Sequence, residues 1–212
     1  MFEQGYDQAH GLKQWFSPEP AGQVDLVSVN ADDALCALAR QIDQMFVTQG
    51  ISARWQDPSG MLQRLGVPLG ESGSADILIS ASRADRLAGA ISQYSLGTVF
   101  AATPDTASLP ALYSAIKETG ERDEHSPLTV VWSGWLANAQ HKQHLCEQNL
   151  ANTVMRFLGR SLTFLRAPVG WANGASDFID PCGTPPAFLA PLTDFLQAQV
   201  GQQMQRSPIL DN

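Results

Sequence analysis

Apolar positions recur along this chain in two periods, and the alternation between them lays out the fold. Val24–Val29 is a short, nearly continuous apolar run. After Asn30 the period changes, and within Ala31–Gln49 the residues Leu35, Leu38, Ala39, Ile42, Met45 and Phe46 fall on one helical face. Gly50 follows, where a helix end favours a left-handed residue. Ile51–Trp55 reads as a second strand, and the Gly-, Pro- and Ser-rich stretch Asp57–Ser74 as an irregular connection holding one short helix. Ala75–Ser80 (ADILIS) predicts a buried strand, Arg83–Tyr94 a helix and Gly97–Ala102 (GTVFAA) a further strand. Leu109, Leu112, Tyr113 and Ile116 set the next helix, with Pro110 tolerated in its first turn. Beyond a polar loop over Glu118–Ser126, a strand is expected at Leu128–Trp132. The helix predicted over Gln140–Leu158 carries Cys146, Leu150, Val154 and Phe157 on one face and ends at Gly159. A strand at Leu162–Leu165, a loop over Pro168–Pro186 and a last helix at Phe188–Val200 complete the pattern. Strands alternating with helices of this length predict an α/β fold: a doubly wound, mostly parallel sheet flanked by helices.

The first 20 residues stand apart from that alternation. Tyr6, Ala9, Leu12, Trp15 and Phe16 recur at helical spacing, and Ser17-Pro18-Glu19-Pro20 then stops the helix, because two prolines so close cannot continue it. So short a helix is marginal alone and needs a surface to dock on, its own domain's or another protein's. The organisation expected is therefore a docking helix and linker over 1–20 and an α/β domain over 21–212.

Composition narrows the partners. Of 212 residues 44% are apolar and 16% charged, and the net charge is −8, which disfavours phosphate backbones and anionic lipid surfaces. Nucleic acid and stable membrane insertion are thus not expected. Cys36, Cys146 and Cys182 are far apart, odd in number and without a CxxC pair, so a reducing compartment is expected. The opening MFEQGYDQAH has neither a basic n-region nor an apolar h-region, and no run approaches 18 apolar residues. The expected compartment is the cytoplasm.

In a doubly wound sheet the first strand-to-helix junction is the usual phosphate cradle. Here it reads Val27-Ser28-Val29-Asn30-Ala31-Asp32-Asp33-Ala34, with no glycine and no lysine or Ser/Thr in P-loop spacing. Asn30 is expected to cap the helix, and Asp32 and Asp33 to complement its dipole. A phosphate charge about 4 Å from one of these carboxylates would cost on the order of 1–4 kcal/mol. No nucleotide and no other cofactor is therefore expected. His141-x-x-His144 with Cys146 lacks a further convergent ligand, so a solvated helix face is expected rather than a metal site. Ser133-Gly134 lacks the GxSxG elbow of a hydrolase, and Arg83, Asp85 and Arg86 read as a solvated helix start. No catalytic residue is assigned. The aromatic stripe near the N-terminus is the feature best suited to a partner, since large aromatics anchor efficiently in grooves.

A family resemblance runs through these segments. Gly5-Tyr6-Asp7-Gln8-Ala9-His10-Gly11-Leu12-Lys13 resembles the DQAxGLR segment of FlhG (YlxH), a MinD-type ATPase family governing flagellar number and placement. Downstream, VDLVSV resembles the family's first strand, ADILISAS its Walker B strand, and ATPDTASLPALYSAIK its TPEPTALTDAYALIK segment. RFLGRSLTFLRAPVG resembles the stretch leading to its last strand. Against the pattern, the KGGxGKT Walker A sequence is absent, Ser80 stands where the Walker B acid would be, and Ser133 falls near the adenine-reading Asn. The resemblance implies a degenerate member: a non-catalytic pseudo-ATPase, regulator or adaptor of polar flagellar assembly, recruited to a cell pole. It also implies that Tyr6, Asp7, Gln8, Ala9, Gly11, Leu12, Trp15 and Phe16 engage an FlhF-like SRP-type GTPase, with Gln8 reaching toward its nucleotide. The family's membrane-targeting C-terminal helix finds little counterpart. Phe188, Leu189, Leu192, Phe195, Leu196 and Val200 form an apolar face without Lys or Arg beside it, and are expected to pack on the sheet. Two other readings stay open: a pseudo-ATPase localisation factor of a pilus or cellulose-secretion system, and an enzyme with a site at the sheet rim. Oligomeric state and the partner's identity stay open too.

Overall fold

A computed structural model describes residues 22–57, 60–64, 76–89, 95–136, 139–172 and 186–206. Six strands, β1 (Gly22–Ser28), β2 (Ala53–Gln56), β3 (Ile77–Arg83), β4 (Ser95–Ala102), β5 (Leu128–Trp135) and β6 (Thr163–Pro168), form one sheet in the order β2-β3-β1-β4-β5-β6. Every neighbouring pair is parallel. The helices are α1 (Asp32–Thr48), α2 (Met61–Arg64), α3 (Leu109–Arg122), α4 (Gln140–Leu158) and α5 (Ala190–Arg206). The expected α/β class and doubly wound sheet are what the chain forms.

Side-chain alternation divides the core into two layers. Val24 and Leu26 of β1, Ile77 and Ile79 of β3 and Val99 of β4 meet Leu35, Leu38, Ile42 and Phe46 of α1 and Leu192, Leu196 and Val200 of α5. On the opposite face Val27, Phe100, Val130 and Trp132 pack against Leu112 and Ile116 of α3 and Leu150 and Val154 of α4. A strand between two helical layers needs apolar side chains on both faces, which is why its sequence reads as a run rather than an alternation. The apolar face of the C-terminal helix thus lies on the sheet, as its lack of basic residues suggested. No helix among the described residues is long and apolar enough to cross a membrane.

Several boundaries differ from the sequence reading. β3 begins at Ile77 and continues through Arg83, and the expected helix over Arg83–Tyr94 is instead a 3-10 turn over Ala84–Gly89, broken at Arg86 (φ −129°, ψ 19°). Helix α3 absorbs Glu118–Arg122, which the sequence assigned to a loop. Its polar residues hold the last turn: Thr119 Oγ1 donates to the Ala115 carbonyl (2.9 Å), and Arg122 donates to Glu118 (2.7 Å) and to the Leu87 carbonyl (2.9 Å). β5 runs on to Trp135 because Gly134 adopts φ +79°, a conformation that admits a bulge where the pairing with β6 shifts register. Phe157, assigned to a buried face, is 65% exposed, and the Arg156 guanidinium lies over its ring at 5.4 Å.

Candidate functional site

Parallel strands bring their C-terminal ends and the following helix N-termini to one rim, where ligands of such folds bind. In this chain the rim over β1, β3 and β4 is occupied by its own side chains. The buried Ser28 hydroxyl donates to Asp32 Oδ1, and Asp32 Oδ2 accepts from Arg83 Nη1 at 3.2 Å. Arg83 also lies 3.8 Å from Asp85. Arg83 is therefore the last residue of a strand bridging to the head of α1, not part of a solvated helix start. Asp32 and Asp33 both sit in the first turn of α1, as read from sequence, and compensate the positive helix end.

Asn30 does not cap α1. The residue preceding the helix is Ala31, and no side chain there caps it. The Asn30 amide instead donates to Thr103 Oγ1 and Ser108 Oγ, both at 2.6 Å, and its carbonyl oxygen accepts from the Thr103 backbone N–H at 3.0 Å. Three bonds across the rim outweigh the single local bond that a cap offers. The same cluster contains Asp105, which accepts from Thr103 Oγ1 (2.5 Å), Ser108 N–H (2.8 Å) and Ser108 Oγ (2.9 Å), and so fixes the turn that leads into α3. Partial burial would raise the Asp105 carboxyl, but these hydrogen bonds outweigh it and hold the group below its ordinary range. Among the described residues the β1–α1 junction thus holds a turn without glycine, two acids at the helix head and an arginine paired with one of them.

Sequence reasoning missed a second polar group, halfway down β1. Asp25 is 2% exposed; Gln23 Nε2 donates to its Oδ1 at 2.5 Å, while Oδ2 has no hydrogen-bond partner among the described residues. Burial pushes its carboxyl up to about 6, hydrogen bonding from Gln23 and Ser95 partly offsets this, and the Asp123 charge adds to it. The signal was present in the sequence: an acid inside VDLVS, an apolar run of a central strand, where a charge has no solvent-facing side. Ser80, matched to the acid of a Walker B strand, is neither exposed nor at a strand end. It pairs in register with Asp25 in the middle of β3, 1% exposed, with its hydroxyl unpartnered among the described residues.

The remaining candidates do not converge. His144 packs edge-on against Trp135 (5.2 Å between centroids), Cys146 is buried, and His141 is exposed. Among the described residues no group of three His, Cys, Asp or Glu side chains is placed to hold a metal. Trp135 is also covered by Arg166 (5.0 Å to the ring), whose guanidinium donates twice to Glu147 at 2.6 and 3.1 Å. Ser133 is half-buried in β5 beside the Gly134 bulge. Burial pushes the Cys36 thiol up to about 11, against a smaller opposing pull from Arg40, so it is a poor nucleophile. Tyr6, Asp7, Gln8, Ala9, Gly11, Leu12, Trp15 and Phe16 lie outside the described residues.

No protein-family model matches this chain, and no curated protein matches it. Among solved structures it is similar to a chain of the MinC:MinD cell division protein complex of Aquifex aeolicus. The TM-score is 0.53 at 11% identity, over 90% of this chain and 99% of the other. At that identity the likeness shows the fold, a MinD-like α/β sheet.

Proposed function

We propose that this protein is a non-catalytic regulator or adaptor of MinD-like build, a pseudo-ATPase that acts by binding a protein partner. The observation that carries this reading is the rim itself. Where a nucleotide-binding relative would present a glycine-rich turn and free backbone donors, this chain presents Ser28, Asp32 and Arg83 bonded to one another, and Asn30 tied to Thr103 and Ser108. The structural neighbour is named as a complex of two proteins, which supports a protein as the partner.

The finer reading rests on the resemblance of residues 5–13 to the FlhG segment: a cytoplasmic role in polar flagellum number and placement, through an FlhF-like GTPase. On a helix, Ala9, Leu12 and Phe16 would share a face flanked by Tyr6 and Trp15, and each large side chain buried in a partner groove would contribute roughly 1.5–3 kcal/mol. Gln8 supplies a neutral amide able to orient a hydrolytic water, as a glutamine does in other GTPases. The test is a GTPase assay beside a binding titration, with the full chain and the organism's FlhF-like protein. Leu12→Ala should weaken binding, whereas Gln8→Ala should preserve binding and lose stimulation of GTP hydrolysis. If the full chain neither binds nor stimulates that GTPase, the flagellar reading fails and a localisation role for another envelope machine takes its place.

A further inference from the structure

Among the buried hydrogen-bonding atoms that lack partners within the described residues, Asp25 Oδ2, Ser80 Oγ and Thr98 Oγ1 lie together on one face of the sheet, where Trp132 Nε1 is a fourth. Strand register places the first three side by side, because Asp25 of β1 is paired with Ser80 of β3 on one flank and with Thr98 of β4 on the other. In-register residues of neighbouring parallel strands point to the same face, about 4.8 Å apart. Ser80 is 1% exposed and Thr98 fully buried. A carboxyl is thus set between two hydroxyls, under a layer that includes Leu87 and helix α3, and all three are buried. An unpartnered buried polar atom is costly, and an unpartnered buried charge more so.

The charged groups around this end of the face do not neutralise it. Arg122 of α3 donates to Glu118 and the Leu87 carbonyl, and Arg160, which follows α4, donates to the Asp123 and Ser126 carbonyls. Asp123, whose carboxylate accepts the His125 and Ser126 amides, adds negative charge nearby. From the 3-10 turn, Asp85 and Arg86 are exposed, and from β4 the Ser95 hydroxyl faces the carboxyl. Among the described residues no Lys or Arg forms an ion pair with Asp25.

We propose that Asp25, set between Ser80 and Thr98, is a buried proton-binding site that couples the stability of this layer to pH. A proton taken from solvent onto Oδ2 removes the buried charge and creates an O–H that can donate to either flanking hydroxyl. Release of the proton leaves a carboxylate in an apolar layer. The sign follows from linkage: the folded chain binds this proton more tightly than the unfolded one. Its stabilising contribution is complete below the ordinary carboxylate range and is lost as pH rises through about 6. The site is independent of the partner reading, since it lies inside the sheet and not at the rim.

The test compares the full-length wild type with Asp25→Asn, whose amide imitates the protonated acid, in denaturant unfolding from pH 4 to pH 8. The ratio of the two unfolding constants should change on the order of 100-fold across that range, with the variant the more stable at pH 8 and the two similar at pH 4. Should the variant not fold, the carboxyl carbon resonance of Asp25 in the wild type decides the matter. A midpoint near 6 supports the site. A ratio that does not vary with pH, or a resonance titrating in the ordinary aspartate range, overturns it.

Discussion

At its C-terminal end β1 delivers Ser28, Asn30 and Asp32 to neighbours that satisfy them; three residues earlier the same strand buries Asp25 with an oxygen that no described residue satisfies. The upper cluster is partly exposed and joins segments 51 to 78 positions apart, and its side chains bond one another. The lower one is buried, and although Gln23 bonds one carboxyl oxygen, the other oxygen and the two flanking hydroxyls stand abreast without partners among the described residues. In the upper cluster the one cation, Arg83, stands against Asp32 and Asp85, with Asp33 beside them, so the charge left over is negative and disfavours an anion. The lower cluster keeps an unmet demand for a proton. Chemistry in a MinD-like fold is expected at the rim, but in this chain a carboxyl held above its ordinary range lies inside the sheet.

Breaking each cluster should have effects of different size and sign. The largest is at Asp25: replacing it by Asn should stabilise the fold at pH 8 by about 3 kcal/mol, the linkage value of a carboxyl raised to about 6. Chemical unfolding at that pH measures it, and a loss of stability would mean that the ionised carboxylate is well satisfied. At the rim the sign reverses. Asn30→Ala removes three bonds that tie the β1–α1 turn to the β4–α3 turn and takes the acceptor from the Thr103 backbone N–H, while the Thr103 and Ser108 hydroxyls keep Asp105. It should cost about 1–3 kcal/mol, read as a lowered thermal midpoint.

Smaller still is Asp105→Ala, which removes three hydrogen bonds from the turn leading into α3 at a cost of about 1 kcal/mol. Because hydrogen bonds hold this carboxyl below its usual range, its contribution is present above roughly pH 4 and fades as the pH falls further, so the deficit of the variant should shrink in acid. Acid titration of stability in the two proteins checks that sign. The smallest effect belongs to Arg83→Ala. Its pair with Asp32 is part-exposed, at 43% and 32%, so the change should stay within ~1 kcal/mol and diminish with added salt. A larger, salt-insensitive loss would show that Arg83 braces the rim by packing rather than by charge.

Much of the fold was legible because its signals are local and repeated. The face Leu35, Leu38, Ile42, Phe46 drew α1, and the runs ADILIS and GTVFAA marked two core strands. The misreadings arose where a distant partner overrode a local preference. Asn30 resembles an N-cap until Thr103 and Ser108, more than 70 positions away, offer it more bonds. Glu118–Arg122 looks like a polar loop until Arg122 finds the Leu87 carbonyl. The plugged rim was half legible. The missing glycines and the two acids are in the sequence, whereas the Arg83–Asp32 bridge depends on β3 and β1 ending side by side. Asp25 was overlooked because an apolar run was read as a strand without asking what its single acid would meet, and that depends on the strands flanking it.

The central claim, that the rim is plugged by the chain's own side chains and takes no nucleotide, is tested most directly by calorimetric titration of the full chain with Mg-ATP. The account predicts no saturable heat into the millimolar range. A dissociation constant near 10 μM, about −7 kcal/mol, would contradict it, because the Ser28–Asp32–Arg83 and Asn30–Thr103–Ser108 bonds would have to open to admit the phosphates.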